Sequence, residues 1–167
     1  MLGLVSCFDL PEGFSGEGLR PIYLDEDDFS LISTQGPRES EDQGLVLEVD
    51  NFIYINERFK GIHVFDNTDL SNPIKTYFWN IPGNTEFSIV GNELFADNSR
   101  HLIVLDISDK SDIQYVSHVE DVYTEDRQNE NFPDNYFGWF ECVDFEKGIV
   151  IDWEEAFLED ASCRIGR

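Results

Sequence analysis

Along this chain, short apolar runs are punctuated by polar turns in a pattern that occurs twice. Ile62-His63-Val64-Phe65 runs into Asp66, and Leu102-Ile103-Val104-Leu105 runs into Asp106. The next residues align without a gap: Asp66-Asn67-Thr68-Asp69-Leu70-Ser71-Asn72 on Asp106-Ile107-Ser108-Asp109-Lys110-Ser111-Asp112. An internal period of about 40 residues marks a repeat architecture, and strand content at that period fits the blades of a propeller.

In the first copy, residues 45–49 alternate in part, Asp50-Asn51 supplies a two-residue turn, and residues 52–56 return as the next strand. Residues 61–65 and 74–81 complete the unit. The second copy repeats this with 86–90, the turn Gly91-Asn92, 93–96, 101–107 and 113–119. Both turn dipeptides tolerate the positive φ that a tight hairpin demands. Residues 102–105 are apolar at every position, which predicts a central strand covered on both faces. A buried carboxylate there, as in Val104→Asp, would then prevent folding.

A third copy begins at 140–144 and 148–152, where Phe145-Glu146-Lys147-Gly148-Ile149 echoes Phe59-Lys60-Gly61-Ile62. It then breaks off. Residues 154–167 predict a short helical turn or frayed tail. Residues 20–24 predict a strand before the acidic cluster 25–28, and residues 35–43 and 120–135 predict charged loops. The expected class is all-β: a partial β-propeller of two four-stranded antiparallel blades, about 44–81 and 85–120, plus a hairpin of a third, about 137–155. Two blades and a hairpin make an open fan, whose bare faces and edges need cover. Residues 20–167 are therefore expected to be part of a longer propeller.

Composition narrows the partners. With 35 acidic and 11 basic residues, the net charge is −24. That opposes binding to nucleic-acid phosphates, which rests on Lys and Arg, and electrostatic docking on anionic lipid. The plainer meaning of the acidity is a solvated, self-repelling surface; cation binding is the sharper alternative. No run of eighteen apolar residues predicts a membrane-spanning helix.

The N-terminus carries a different signal. Leu4-Val5-Ser6-Cys7 matches a bacterial lipobox, in which the Cys is acylated and becomes the mature N-terminus. Residues 8–19, with Pro11, Gly13, Gly16 and Gly18, then predict a flexible tether. The stretch before Cys7 lacks Lys and Arg and is short for a signal peptide, so either the start lies upstream or the match is chance. If Cys7 carries lipid, Cys142 and Cys163 remain as one candidate disulfide. The alternative is that both are unpaired, one a small buried hydrophobe and one in a loose tail.

His101-Leu102-Ile103-Val104-Leu105-Asp106-Ile107 resembles the motif that names the LVIVD-repeat β-propeller lipoproteins of Bacteroidetes-type bacteria. Asn56-Glu57, residues 61–67, Ser71-Asn72-Pro73, Ile81-Pro82-Gly83-Asn84 and Leu94-Phe95-Ala96-Asp97 are similar to its recurring phrases. The similarity covers roughly residues 20–153. It implies a propeller anchored at the outer membrane or cell surface by an acylated Cys7, of uncharacterised biochemical activity. Family members usually continue through further blades, and this chain departs from them in its missing signal segment and second half.

Catalytic chemistry has little to stand on. His63, His101 and His118 fall in or beside predicted strands without metal-ligand spacing, and read as satisfied or solvent-facing sheet residues. A G-x-S-x-G elbow and a Gly-rich phosphate loop are both missing from the sequence. Asp66, Asp69, Asp106 and Asp109 are candidates for turn capping, or for a weak cation site that lacks the Gly and distal Glu of a calcium loop. Phe78-Trp79 and Tyr136-Phe137-Gly138-Trp139-Phe140 read as core, with a sugar-stacking platform as the alternative. Neither metal nor cofactor is expected. The expected function is a non-catalytic cell-envelope interaction or scaffold module, held at the membrane by lipid, with a protein or glycan partner. The alternative is a glycan-binding accessory or enzyme fragment whose active site lies in missing blades.

Overall fold

The computed structural model describes residues 13–123 and 131–166, which form three separate sheets with no α-helix among them. The first strand, β1 (Phe14–Leu24), belongs to the sheet taken last. β2 (Ser33–Gln35), β3 (Gln43–Val49), β4 (Phe52–Glu57), β5 (Gly61–Asp66) and β6 (Ile74–Asn80) make one sheet in the order β2-β6-β5-β4-β3. β7 (Phe87–Val90), β8 (Glu93–Asn98), β9 (His101–Asp106) and β10 (Gln114–Val119) make a second, in the order β10-β9-β8-β7. Each of these holds one copy of the repeat as an antiparallel meander. The first gains β2 as a fifth strand, bonded to β6 from Ser33↔Asn80 to Gln35↔Phe78.

The duplication reaches backbone detail. Asp50 (φ 54°) and Gly91 (φ 61°) open equivalent hairpin turns in the left-handed region, where Asp is tolerated and Gly is at ease. Past each turn a backbone N–H closes the unit: Asn67 donates to the Asn51 carbonyl at 2.7 Å, and Ile107 to that of Asn92 at 2.8 Å. Even the irregularity is copied. The β5–β6 register slips between Val64 and Phe65, opposite Tyr77 and Lys75; the β9–β10 register slips opposite Ser117 and Tyr115. A bulge that recurs at the same place in two copies is a built feature that increases local twist.

The two meanders pack face to face. Tyr54, Ile62, Val64 and Trp79 of the first share one buried cluster with Leu94, Ala96, Ile103 and Leu105 of the second. Each large side chain removed from water there contributes about 1.5–3 kcal/mol. Burial in β9 alternates: Ile103 and Leu105 are fully buried, whereas Leu102 and Val104 are only half-buried. The expectation that residues 102–105 are covered on both faces is therefore corrected. In the described structure, the run is apolar on a face that no second sheet covers.

The third sheet departs from the expected hairpin. β11 (Gly138–Phe140), β12 (Ile149–Ala161) and β13 (Cys163–Ile165) join β1 in the order β12-β1-β11-β13. β11 and β12 do not pair with each other; β1 lies between them, antiparallel to β12 from Phe14↔Ala161 to Leu24↔Ile149 and parallel to β11 at Leu19↔Phe140. The tether expected over 8–19 is thus strand from Phe14 onward. Its glycines are there for close approach: a Cβ on Gly18 would lie 2.5 Å from both Leu158 Cδ1 and the Trp139 carbonyl oxygen. The loose tail expected over 154–167 is strand over 154–161 and 163–165. Glu154, Glu155, Glu159 and Asp160 are charged and exposed, while Leu158 and Ala161 are buried. Cys142 and Cys163 form a disulfide with Cα atoms 5.2 Å apart, beside the β11–β13 pairing. Cys7 lies outside the described residues.

Candidate functional site

The four repeated aspartates cap turns. Asp66 Oδ1 accepts the backbone N–H of Thr68 at 2.8 Å, and Asp106 Oδ1 that of Ser108 at 2.8 Å. Asp69 Oδ1 accepts both the N–H and the hydroxyl of Ser71, at 3.0 and 2.7 Å, and Asp109 Oδ1 those of Ser111, at 2.9 and 2.6 Å. These bonds favour the carboxylate and hold all four carboxyls below their ordinary range. All are local, fixing the loop onto the strand that precedes it. Among the described residues, no group of three or more His, Cys, Asp or Glu side chains gathers as metal ligands would.

Behind these turns, at the opposite end of the strands, a buried polar seam joins the repeats. Glu57 closes β4 with Oε1 accepting the N–H groups of Glu41 and Asp42 at 2.8 and 2.9 Å. Its Oε2 accepts the Ser40 hydroxyl at 2.6 Å and lies 3.0 Å from His63 Nε2. Burial pushes this carboxyl up, but the donors outweigh it and hold it at about 2. Burial lowers His63 against the opposing pull of Glu57, with Lys75 and Arg38 adding to the lowering. The pair is therefore a carboxylate accepting from a neutral imidazole, whose buried Nδ1 has no partner.

In the second sheet Asp97 does the equivalent work. Its Oδ1 accepts the N–H groups of Thr85 and Glu86 at 2.7 and 2.8 Å, and its Oδ2 the Thr85 hydroxyl. Asn84 bridges the two halves, donating to Asp97 Oδ1 at 2.7 Å and accepting from Asn56 Nδ2 at 2.7 Å. Glu57, His63, Asn84 and Asp97 went unmarked as site residues in the sequence, although Asn56-Glu57 and Asp97-Asn98 end comparable strands and could have pointed to them. The seam positions chain; Glu57 is saturated by its own donors.

The open surfaces lie elsewhere. A groove of about 520 Å³ runs between the repeats at the capped-turn end, lined by Phe52, Tyr77, Asp66, Asp109, Lys110 and Ser111, among others. Lys110 Nζ sits 4.7 Å from the centre of the Phe52 ring, and its carbonyl accepts the Trp79 indole N–H at 3.0 Å. That bond ties the second repeat's turn to the core of the first. A second pocket, about 310 Å³, lies between the third sheet and the β4–β5 turn, with Phe59, Lys60, Phe132, Asp134 and Trp153 on its walls. Lys60 is paired there with Glu41 at 3.2 Å and with Asp134. Phe59 occupies the left-handed region (φ 64°), a strained place for a bulky side chain, pinned by bonds to Asn84 and Gly83.

Of the aromatic candidates, Phe78 and Trp79 are fully buried. Phe137 is exposed, Trp139 stacks on Phe14 with ring centroids 5.0 Å apart, and Tyr136 donates to the Trp139 carbonyl. They form no common platform with Phe78 and Trp79. No helix of the described residues is long and apolar enough to cross a membrane. Comparisons with protein-family models, curated proteins and solved structures returned no match.

Proposed function

We propose that this chain is the repeat portion of a lipid-anchored cell-envelope protein that acts without catalysis, as an interaction or scaffold module built on propeller-type blades. The observation that carries the reading is the division of labour between buried and open groups. Glu57, as deeply buried a carboxylate as Asp97, spends its acceptor capacity on holding a loop. The open features are a groove and apolar sheet faces, which suit contact with a partner. The two stacked four-strand meanders support the blade reading, and the LVIVD-like phrases support the family resemblance. A disulfide between Cys142 and Cys163 fits an exported protein. With a net charge of −24, attachment to a membrane would fall to acyl chains on Cys7, each buried methylene contributing about 0.8 kcal/mol.

Metabolic labelling with palmitate, with the gene expressed together with its upstream sequence, tests the anchor. Wild type should label and sediment with outer membranes, and Cys7→Ala should do neither. Equal labelling of both, or a soluble cytoplasmic wild type, would overturn the lipoprotein reading.

A further inference from the structure

The internal repeat allows a test that a single sheet does not: what buries a given face in one copy can be asked of its equivalent in the other. The pairing registers set the equivalence, because Tyr54↔Val64 and Asn56↔Ile62 correspond to Phe95↔Val104 and Asp97↔Leu102. On the first sheet's inward face, Tyr54, Ile62, Val64 and Trp79 are buried beneath the second sheet. Their equivalents on the second sheet's outward face are Phe95 for Tyr54, Leu102 for Ile62, Val104 for Val64 and Val119 for Trp79. All four are apolar. Yet Phe95, Leu102 and Val104 are only half-buried, Val119 is 55% exposed, and none belongs to the core cluster.

The complementary surface is on the same molecule. The second sheet's inward face uses Leu94, Ala96 and Leu105, whose equivalents on the first sheet's outward face are Ile53, Ile55 and Phe65, again apolar and half-buried. His63 stands where Ile103 does, beneath the segment that Glu57 holds.

We propose that the outward face around Val104 docks on the outward face around Ile53 of a second copy of this chain, repeating between molecules the stacking already present within one. This names the partner for the scaffold reading above, but rests on the faces alone and not on the lipid. The two patches differ, so the contact is heterologous: it propagates head to tail until a ring closes or a filament grows. A sandwich of β-sheets buries such faces at about 10 Å separation, and part-exposed apolar sheet faces of this kind mark interaction sites. The chain's negative charge opposes self-association, so added salt should strengthen it.

Sedimentation velocity on the full chain tests this, with Cys7→Ser so that lipid cannot contribute and circular dichroism to check folding. Wild type should show species above the 19.3 kDa monomer between low micromolar and millimolar protein, more so at high salt. Val104→Lys and Ile53→Lys should each sediment as monomers. Mixed, they should form a discrete 1:1 complex, since each keeps one intact face. Should Val104→Lys fail to fold, Val119→Lys at an already exposed position should weaken association by about tenfold or more. A wild type that stays monomeric throughout, or self-association that survives Ile53→Lys, or a mixture that yields no complex, would overturn the proposal. The palmitate result bears on none of these outcomes, so the two readings can fail separately.

Discussion

The two repeats share a backbone and differ in what they do with one face. Val64 and Val104 are the same residue at the same register position, beside the same bulge, yet one is fully buried and the other only half-buried. His63 and Ile103 reverse the relation: both are fully buried, one as a hydrogen-bonded imidazole and the other as hydrocarbon. The lesson is that the repeat specifies the meander through its turns, while the surroundings of each copy decide which face is core. Turn chemistry can be copied unchanged because it is local; face chemistry has to answer to neighbours.

The comparison breaks hardest at Trp79 and Val119. Trp79→Ala should cost about 3–5 kcal/mol and leave the Lys110 carbonyl without its indole donor, whereas Val119→Ala should cost about 0.5 kcal/mol or less at dilutions where the chain is monomeric. Urea titration followed by tryptophan fluorescence and far-ultraviolet dichroism reads the difference. Equal costs would mean that the two faces are not distinguished by burial.

Glu57→Gln comes next. An amide placed among donors leaves them short of acceptors and turns its own N–H groups on them, so a loss of about 2–4 kcal/mol is expected at neutral pH. Faster hydrogen exchange at residues 40–42 should accompany it, with the Thr85 and Glu86 amides held by Asp97 changing less.

Acid sharpens the same contrast. His63 is held below its free value of 6.5 and Glu57 at about 2, below 4.5. Both folded values are depressed, so both contributions are present above the free values and are lost as pH falls, His63's from about 6.5 downward and Glu57's between about 4.5 and 2. The melting temperature should therefore drop in the first window before the second. His63→Ile, which copies the second repeat, should flatten the drop below pH 6.5 and keep the one at lower pH. A wild-type melting temperature unchanged from pH 7 to 5 would count against the neutral-imidazole pairing.

The smallest effects belong to the capped turns. Asp69→Ala and Asp109→Ala each remove two bonds to a serine at an exposed site, and each should lower the urea midpoint by less than Glu57→Gln does. Near-equal values in the two copies would fit their shared geometry; a twofold disparity would show that the Trp79–Lys110 bond makes the second turn the more important one.

What could be read from the chain follows the same division. The hairpin turns, the strands around them and the capping aspartates were legible because each is fixed by residues a few positions apart. β2 was missed because three residues of no distinct pattern take their strand character from β6. β1 was misread because Gly16 and Gly18 suggest flexibility until Leu158 and Phe14 are seen against them, and β12 because its adjacent exposed carboxylates break the alternation that would have marked a strand. The run 102–105 misled in the opposite sense. Its apolar positions announce two faces to be covered, and the described structure covers one fully and the other in part. The Glu57–His63 pair was hidden because the bonds that define it reach a loop 15 to 17 residues upstream.

The third sheet also dictates an order of events. Contacts within each meander close short loops, and such local structure forms early; the β1–β12 ladder joins residues as far apart as Phe14 and Ala161, 147 positions along the chain. Closing loops of that length costs entropy before any contact repays it, so folding should be paced by this last step. During synthesis β1 emerges before β2–β11 and stands without its β12 partner until they have followed it, an interval in which the chain's like charge opposes pairing with the wrong strand.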